Sequence, residues 1–475
     1  MTGLEFLGMV MLLVMLGAIF IGLPISFTLL FLALIFGLLG LGPMVFDLAY
    51  FQTIGLMKQD EFVAVPMFIL MGYICDNAGI MERMFKAFRD LFAPVRGSLY
   101  IVVLVTATLF GIAAGTVGAT VALLGIMAGP MMIKAGYDVR MSAGAITAGG
   151  TLGILVPPSV MLVVMGPVLG VSVATLYEAA LLPGFLLAGM YIVYTTVRSF
   201  LNPKLGPPVP LDERPARLGP VIWECVVGLV PVVVLTVATL GVIIVGLTTA
   251  TEAAALGSLG AIIMVICYRR FTFSGLWKAC QSTLMTTSMV LFLAVTSNIF
   301  GAVFARMGTA SWITNQLLAI PLPAVGTITL VFVLIFLLGW PFEWPAIVLV
   351  FLPMLAPVAA GLGYDMVYFG VVTAVVLQTA FLSPPVAMSA YYLKQVVKEW
   401  KIGDIYKGMY QFMVLQVLCV GILIYYPQIV LWLPTMLQAR ASAWQMPEAD
   451  RKIIEQQRKN TKSLEDDDWG APKKQ

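Results

Sequence analysis

Histidine is absent from this 475-residue sequence, and charged residues make up only 11% of it. Without histidine, the chain lacks the commonest proton relay, metal ligand and general base. Its five cysteines are scattered, with neither metal-ligand nor redox spacing, and we interpret them as small apolar packing residues. An enzyme, including an intramembrane one, would need a nucleophile–base pair or a metal cluster, so these absences argue against an enzyme.

Apolar residues dominate what is present, at 60% of the sequence. A soluble domain carries roughly 25% charged residues, so this chain has too few of them to face water on all sides. The net charge of +3 is too small to indicate a nucleic-acid partner. The composition therefore predicts an all-α polytopic membrane protein. Ten apolar segments are long enough for one crossing each, near residues 4–23, 24–42, 61–77, 141–166, 173–197, 220–246, 250–268, 281–305, 364–391 and 408–434.

Two further apolar stretches, residues 99–133 and 324–360, are each too long for one helix and are interrupted by Gly or Pro. Irregular backbone at membrane depth is tolerated only where it is buried in protein or lines a wet cavity. We therefore predict two re-entrant helical hairpins, each of which enters and leaves the membrane on the same side. The alternative is an ordinary pair of helices with a short external turn in each stretch.

The positions of lysine and arginine predict the orientation in the membrane. With the N-terminus outside, seventeen basic residues before the C-terminal tail lie on one side and only Lys58 and Arg306 lie on the other. This bias is the positive-inside pattern. The segment from Arg83 to Arg96 is predicted to form a basic amphipathic helix on the inner surface. It either braces a moving hairpin unit or is a static interface helix.

A linker at residues 203–219, assigned to the cytoplasmic side, divides the chain almost in half. Each half contains three helices, a hairpin, a broken helix and a final helix, which gives five crossings. Because five is odd, the second half is inverted relative to the first, as in secondary transporters whose site lies near the midplane. The first repeat (1–202) has hairpin 99–133, broken helix 141–166 and helix 173–197; the second (220–434) has hairpin 324–360, broken helix 364–391 and helix 408–434; a charged tail follows at 435–475.

Two proline pairs, Pro157-Pro158 and Pro384-Pro385, interrupt matching helices and lie 227 residues apart. Proline inside a helix removes a backbone donor and frees upstream carbonyls, which together with hydroxyls are ligands for a hard cation. The half-helix that starts after each break points its positive end inward and can receive an anion. The candidate sodium-binding residues are Gly115, Thr116, Thr120, Thr151, Gly153 and Pro157 in the first half, and Gly339, Glu343, Thr379, Ser383 and Pro384 in the second.

Glu343 is the one carboxylate at a predicted hairpin tip. It is either a sodium ligand or a headgroup-level residue beside two tryptophans of an aromatic belt. The absence of histidine and the scarcity of carboxylates within helices argue against a proton relay. Sodium is therefore the predicted coupling ion, with no other metal, no cofactor and no catalytic residue. The candidate substrate-binding residues are Pro158, Ser159, Thr296, Asn298 and Pro385, with hydrogen bonding between helices as the alternative role of Thr296 and Asn298.

The segments at residues 150–159, 115–120, 251–255 and 383–386 resemble the large membrane (permease) subunit of tripartite ATP-independent periplasmic (TRAP) transporters, the DctM-like family. The resemblance covers about residues 1–434. It implies an elevator-type transporter of the ion transporter superfamily, a multi-pass protein of the bacterial inner membrane that imports small organic acids with a sodium gradient. It also implies two partners, a small four-helix membrane subunit and a periplasmic solute-binding protein. Because we find no further four-helix block in the sequence, we expect the small subunit to be a separate chain.

The chain departs from the family pattern at both hairpin tips. Many relatives have Ser and Asp at the positions of Thr116 and Thr120, and the second tip, with Glu343 between two prolines, differs from the commoner Phe-Leu-Asp type. The ion ligands and their number therefore stay open. The alternative function is a stand-alone anion/sodium symporter or sodium/proton antiporter of the same superfamily. A channel is less favoured, because paired inverted breaks are typical of alternating access.

Overall fold

The computed structural model describes residues 2–114, 117–208, 214, 218–384 and 387–445. Within these ranges the chain is helical and contains no β-strand. It divides into two compact units, residues 1–430 and residues 431–475. In the second unit, the described residues, 431–445, belong to a single helix.

Ten helices lie in the described part of residues 1–208, and they are numbered here from the N-terminus. A 3-10 turn, Leu152–Ile154, directly follows the eighth helix. The helices are α1 (Gly3–Phe20), α2 (Ile25–Leu41), α3 (Met44–Met57), α4 (Glu61–Asn77), α5 (Ile80–Phe92), α6 (Ser98–Ala114), α7 (Val117–Lys134), α8 (Val139–Thr151), α9 (Val160–Leu169) and α10 (Val173–Leu201).

Twelve more helices lie in the described part of residues 218–445. The π-helical segments Val237–Gly241 and Ile347–Phe351 join α11 to α12 and α17 to α18, so that Gly219–Ile244 and Trp344–Gly361 are each continuous. The helices are α11 (Leu218–Thr236), α12 (Val242–Ile244), α13 (Ala250–Cys267), α14 (Phe273–Arg306), α15 (Thr309–Leu318), α16 (Ala324–Leu338), α17 (Trp344–Ala346), α18 (Leu352–Gly361), α19 (Met366–Ala380), α20 (Met388–Val396), α21 (Ile402–Tyr425) and α22 (Gln428–Gln445).

Eight helices among the described residues are long and apolar enough to cross a membrane. The prediction of an all-helical, multi-pass membrane protein is therefore confirmed. The eight do not match the ten predicted crossings one for one. Val117–Lys134 and Trp344–Gly361 lie within the predicted hairpins, whereas the predicted crossings 141–166 and 364–391 each consist of two shorter helices.

The tripeptide Gly-Tyr-Asp precedes α8 and recurs before α19. Gly136 and Gly363 have positive φ angles of 71° and 79°, which glycine adopts without a steric penalty. The Asp138 carboxylate accepts a hydrogen bond from a backbone N–H of α8 at 2.8 Å, and Asp365 accepts one from α19 at 2.7 Å, so each aspartate caps the helix that follows. The same turn thus starts both helices, and the two starting residues are 227 positions apart.

The helices α8 and α19 form the core of the first unit. In α8 every side chain from Met141 to Thr151 is buried, and in α19 every side chain from Val367 to Ala380 is buried. A helix that is buried all round does not need the apolar stripe of a surface helix. Each break predicted from a proline pair therefore follows a helix that is buried in the protein.

The helix α8 packs against α21, although the two are far apart in sequence. Glycines at the crossing permit a close approach, since a Cβ added to Gly144 would lie 2.7 Å from the carbonyl oxygen of Gly408. An ion pair between Arg140 and Asp404, at 3.3 Å, joins the starts of the two helices. The contact between α8 and α21 therefore joins the first half of the chain to the second half.

Three helices were not predicted from the sequence: α3, α15 and α22. The predicted helix 408–434 is in fact two helices, because α21 ends at Tyr425 and Pro427, which has no N–H to donate, lies before α22. The second of these helices continues into the predicted charged tail (435–475) as far as Gln445.

The predicted basic amphipathic helix corresponds to α5. Its apolar residues, among them Phe85 and Phe88, are buried, and it packs against both α6 and α11. The Arg83 guanidinium pairs with Glu224 of α11 at 2.8 Å and lies 5.8 Å from the centre of the Tyr268 ring. An ion pair therefore joins α5 to α11, and α5 also contacts α6 of the first predicted hairpin.

Candidate functional site

The first break separates α8 from α9. Because Pro157 and Pro158 have no backbone N–H, the helix cannot continue through them, and α9 starts only at Val160. Ser159 stabilises the break, since its hydroxyl donates to the carbonyl oxygen of Ile154. All residues from 151 to 160 are buried, so the freed backbone groups lie in the protein interior.

The first hairpin touches this break through glycines. A Cβ added to Gly153 would lie 2.9 Å from the Cα of Gly111 in α6, so the two backbones are in direct contact. A Cβ on Gly150 would likewise lie 3.3 Å from the backbone nitrogen of Val121 in α7. The hairpin and the break therefore form one packed unit, with the predicted residues Thr120 and Thr151 next to these contacts and fully buried.

The second break repeats the arrangement. The helix α19 ends at Ala380, and α20 starts at Met388. A Cβ added to Gly339, at the end of α16, would lie 2.8 Å from the Cβ of Ala380. Thus each hairpin contacts its break through a glycine, and these glycines, Gly111 and Gly339, are 228 residues apart.

Two of the predicted sodium ligands have the same hydroxyl geometry. Thr151 Oγ1 donates to the Ala148 carbonyl at 2.8 Å, and Thr379 Oγ1 donates to the Val376 carbonyl at 2.5 Å. Each hydroxyl has therefore used its proton on its own helix and keeps its oxygen lone pairs for another partner.

Near the second break, buried polar atoms have no hydrogen-bond partner among the described residues. These atoms are the Ser383 hydroxyl and both polar atoms of the Gln378 side chain. A buried polar group without a partner is costly, and native proteins normally satisfy it with water, an ion or a ligand. The Ser383 hydroxyl oxygen and the Gln378 amide oxygen can ligate a cation, whereas the Gln378 amide nitrogen needs a hydrogen-bond acceptor.

The structure places the remaining predicted residues as follows. Pro384 follows Ser383 in the turn after α19, and Gly115, Thr116 and Pro385 lie outside the described residues. The Thr296 hydroxyl is fully buried and donates to a carbonyl of its own helix at 3.1 Å. The Asn298 amide donates to the Gln52 carbonyl of α3 at 3.1 Å and also lines an outer cavity of about 320 Å³.

A central cavity of about 210 Å³ lies where the broken elements meet. The first residues of four helices line it: Val117 of α7, Val160 of α9, Trp344 of α17 and Met388 of α20. Helix N-termini carry unpaired N–H groups and partial positive charge. Three of these helices have an N-cap residue that makes no side-chain cap hydrogen bond, namely Ser159, Glu343 and Ala387. The first N–H groups of α9 and α17 thus have no side-chain cap, whereas in α20 the Ser389 N–H already donates to the Phe381 carbonyl at 3.4 Å. An N–H group without a partner at a helix start can receive an anionic ligand.

Glu343 also lines the central cavity, at the start of α17. Among the described lining residues, it is the one charged side chain, and no lysine or arginine is present. The cavity thus combines the positive ends of helices with one carboxylate. Such a site can hold an anion and a cation together.

Several lining residues were not identified from the sequence. Tyr392 of α20 and Thr286 of α14 line the central cavity, and the Thr286 hydroxyl forms a hydrogen bond of 2.9 Å with Tyr73 of α4. Of the predicted site residues that the structure describes, only Glu343 lines this cavity. No local motif marks Tyr392 or Thr286. Tyr392 lies in a short helix of mixed polarity, and Thr286 is one of several hydroxyl residues in its part of α14.

The multi-pass helical fold and a cavity surrounded by helix starts place the chain in the class of membrane transporters. The crystal structure of the YdaH transporter of Alcanivorax borkumensis, described as having an unusual topology, has a similar fold, with a TM-score of 0.54 and 17% identity over 81% of this chain and 87% of that one. The protein-family model of the DctM component of tripartite ATP-independent periplasmic transporters matches residues 9–429 of this chain. The chain belongs to this family of TRAP transporter large permease proteins.

Characterised relatives match along most of their length. The sialic acid TRAP transporter large permease protein SiaM of Vibrio cholerae is 30% identical, over 89% of this chain and 97% of the relative. The C4-dicarboxylate TRAP transporter large permease protein DctM of Rhodobacter capsulatus is 28% identical, over 88% and 96%. The 2,3-diketo-L-gulonate TRAP transporter large permease protein YiaN of Escherichia coli is 27% identical, over 88% and 96%. The family consists of transport proteins and not of enzymes.

Proposed function

We propose that this protein imports small organic acids across the bacterial inner membrane, coupled to a sodium gradient. A periplasmic solute-binding protein hands over the solute, and a small four-helix membrane subunit works beside this chain. The family as a whole works with these two kinds of partner, and the expectation for this chain rests on that membership. The relatives named for sialic acid, C4-dicarboxylates and diketogulonate all support an organic acid as the solute.

The convergence of helix starts on the central cavity carries the proposal. Four helix N-termini around one cavity attract an anion without any lysine or arginine among the described lining residues. The organic acid binds there through backbone N–H groups, in particular those that follow Ser159, which makes no side-chain cap hydrogen bond.

Sodium binds at the two breaks. In the first half, the ligands come from Thr120, Thr151, Gly153 and Pro157; in the second half they come from Gly339, Thr379, Ser383 and Pro384. The acceptor lone pairs of Thr151 and Thr379 support this assignment, as does the Ser383 hydroxyl, which has no hydrogen-bond partner among the described residues. Glu343 supplies negative charge to a cation that enters with the solute, and so offsets the repulsion between two anions.

The two halves act as inverted repeats, and the hairpins move with the broken helices in an elevator motion. Three features that recur about 227 residues apart support the repeat: the proline pairs, the Gly-Tyr-Asp turns and the glycine contacts between hairpin and break. The direct backbone contact of Gly111 with Gly153 supports joint movement of hairpin and break, because packed backbones shift as a unit.

The test is solute uptake into proteoliposomes that contain this chain and its small partner subunit. Binding proteins loaded with different organic acids are supplied outside, under an inward gradient of either sodium or protons. Uptake that needs both sodium and the binding protein is the expected result. Uptake without the binding protein, or driven by protons alone, would contradict the proposal and favour the stand-alone carrier of the same superfamily.

A further inference from the structure

Tyr392 lines the central cavity. It lies on α20, in the second half of the chain, and its ring packs against Gly118 at the start of α7 in the first half. A Cβ added to Gly118 would lie 3.0 Å from the Cζ atom of the ring, so the glycine leaves the ring the space that it occupies. The ring therefore bridges the first hairpin and the second broken helix at the wall of the cavity.

The Tyr392 hydroxyl has a weak partner. Its hydrogen bond among the described residues goes to the Met388 sulfur at 3.7 Å. A thioether sulfur is a weak acceptor, so the phenol proton is available to a stronger acceptor that enters the cavity. An oxygen of a bound acid is such an acceptor, and a hydrogen bond to a charged oxygen is stronger than one between neutral groups.

The rest of the described lining is mostly hydrocarbon. Beside Tyr392, only Thr286, Glu343 and Trp344 carry side-chain polar atoms that face this cavity or its rim. The Thr286 hydroxyl is already engaged with Tyr73. A solute with many hydroxyl groups would find few side-chain partners among the described lining residues, and each hydroxyl group left without a partner would weaken binding. The remaining lining residues are Ile69, Val117, Gly118, Ile154, Val160, Met289, Val290, Pro345, Phe381 and Met388.

We propose that Tyr392 is a solute-binding, specificity-determining residue that donates a hydrogen bond to an acidic oxygen of the transported solute. The solute is a small organic acid with a compact hydrocarbon body, which the apolar lining accommodates. The inference rests on the proposed function and narrows its substrate class. It distinguishes this cavity from one built for a polyhydroxylated acid, which would need several polar side chains around the body of the solute.

The experiment measures binding of three probes to the purified full chain in lipid nanodiscs with sodium present, by isothermal titration calorimetry. The probes are isocaproate, which has a branched hydrocarbon body, succinate and N-acetylneuraminate. The variants are Tyr392→Phe, which removes only the hydroxyl, and Gly118→Ala, which displaces the ring. Tyr391→Phe is the matched control, because this neighbouring tyrosine is exposed and does not line the cavity.

We expect the wild-type protein to bind isocaproate more tightly than the other two probes. Tyr392→Phe should weaken isocaproate binding by about tenfold, the loss of one hydrogen bond to a charged group, while Tyr391→Phe should leave binding unchanged. Gly118→Ala should also weaken isocaproate binding, because the displaced ring takes up space that the hydrocarbon body needs. In uptake assays, Tyr392→Phe should raise KM and leave the maximal rate near that of the wild type, a pattern that a purely structural role would not produce.

Three results would overturn the inference: equal affinity of the Tyr392→Phe variant and the wild type, tighter binding of succinate or N-acetylneuraminate than of isocaproate, or no binding of isocaproate at all. The proposed function is tested separately by sodium-driven uptake. If sodium drives uptake of a hydrophilic acid, the transport function stands and the inferred hydrocarbon body of the solute falls.

Discussion

The backbone contact between Gly111 and Gly153 gives the sharpest quantitative prediction. In Gly153→Ala, the new Cβ would lie 2.9 Å from the Gly111 Cα and 3.3 Å from its carbonyl oxygen. Carbon atoms prefer separations of about 3.5–4.0 Å, so the two segments must separate by about 0.6–1.1 Å. Both contacting groups are backbone, and a rotamer change cannot relieve the clash. Overpacking of this kind costs about 1–3 kcal/mol.

The measurement is thermal unfolding of the purified protein, followed by a sodium titration of uptake in proteoliposomes. Gly153→Ala should lower the unfolding temperature and weaken sodium activation, because it moves the hairpin away from the break that holds Thr151 and Pro157. The matched control is Gly189→Ala in α10, where no atom lies within 4 Å of the added Cβ. Alanine is favoured over glycine in a helix by about 0.5–1 kcal/mol, so the control should be as stable as the wild type or slightly more stable.

One outcome would refute the reasoning. If Gly153→Ala unfolds at the same temperature as Gly189→Ala and shows the same sodium dependence, the hairpin and the break are not in the close contact described here. A loss of sodium activation without any loss of stability would keep the contact but limit its role to ion binding.

Three further predictions concern the ion sites and the α5 helix. Thr151→Ala and Thr379→Ala should each raise the sodium concentration for half-maximal uptake by about tenfold, or ~1.4 kcal/mol, and unchanged sodium titrations in both would contradict the ligand assignment. Glu343→Gln should weaken sodium activation while the protein stays folded, which a sodium titration and a melting curve would check. Glu224→Gln breaks an exposed ion pair with Arg83 and should lower stability by no more than ~1 kcal/mol; a larger drop would indicate that the pair contributes more than its exposure suggests.

The sequence predicted the interruptions of α8 and α19 because proline acts locally. Two successive residues without a backbone N–H interrupt a helix, so the proline pairs that start at Pro157 and Pro384 mark the breaks without any tertiary information. A single proline is tolerated, as Pro183 is within α10. The apolar segments could also be predicted from the sequence, because lipid exposure and burial both select hydrophobic residues.

Two short helices of mixed polarity, α3 and α15, were not predicted from the sequence. The sequence of α3 contains Asp47, Tyr50 and Gln52, and α15 contains Asn315 and Gln316, so neither is an apolar run long enough for a crossing. Their helical state depends on the helices they pack against, such as α14 for α3. The repeated Gly-Tyr-Asp turn was a usable signal that was overlooked, since it recurs at the same spacing as the proline pairs.

The cavity could not be predicted residue by residue. Tyr392 and Thr286 come from helices more than 100 residues apart in the chain, and only the packing of α14 and α20 around the hairpins brings them to one wall. Four of the eight residues proposed as sodium ligands, two glycines and two prolines, offer only their backbone carbonyls, which every residue carries, so residue type says little about them. Glu343 was identified because a lone carboxylate in an apolar segment stands out.

The packing of α8 against α21 has a consequence for biosynthesis. Gly144 is translated 264 residues before Gly408, and chain elongation proceeds at about 5–20 residues per second, so α8 spends about 13–53 s without its partner. During that time, its glycine-rich surface has only neighbouring early helices to contact. The core that holds the first break is therefore completed after most of the polypeptide has left the ribosome, and a chain truncated before α21 would enter the membrane without ever acquiring that core.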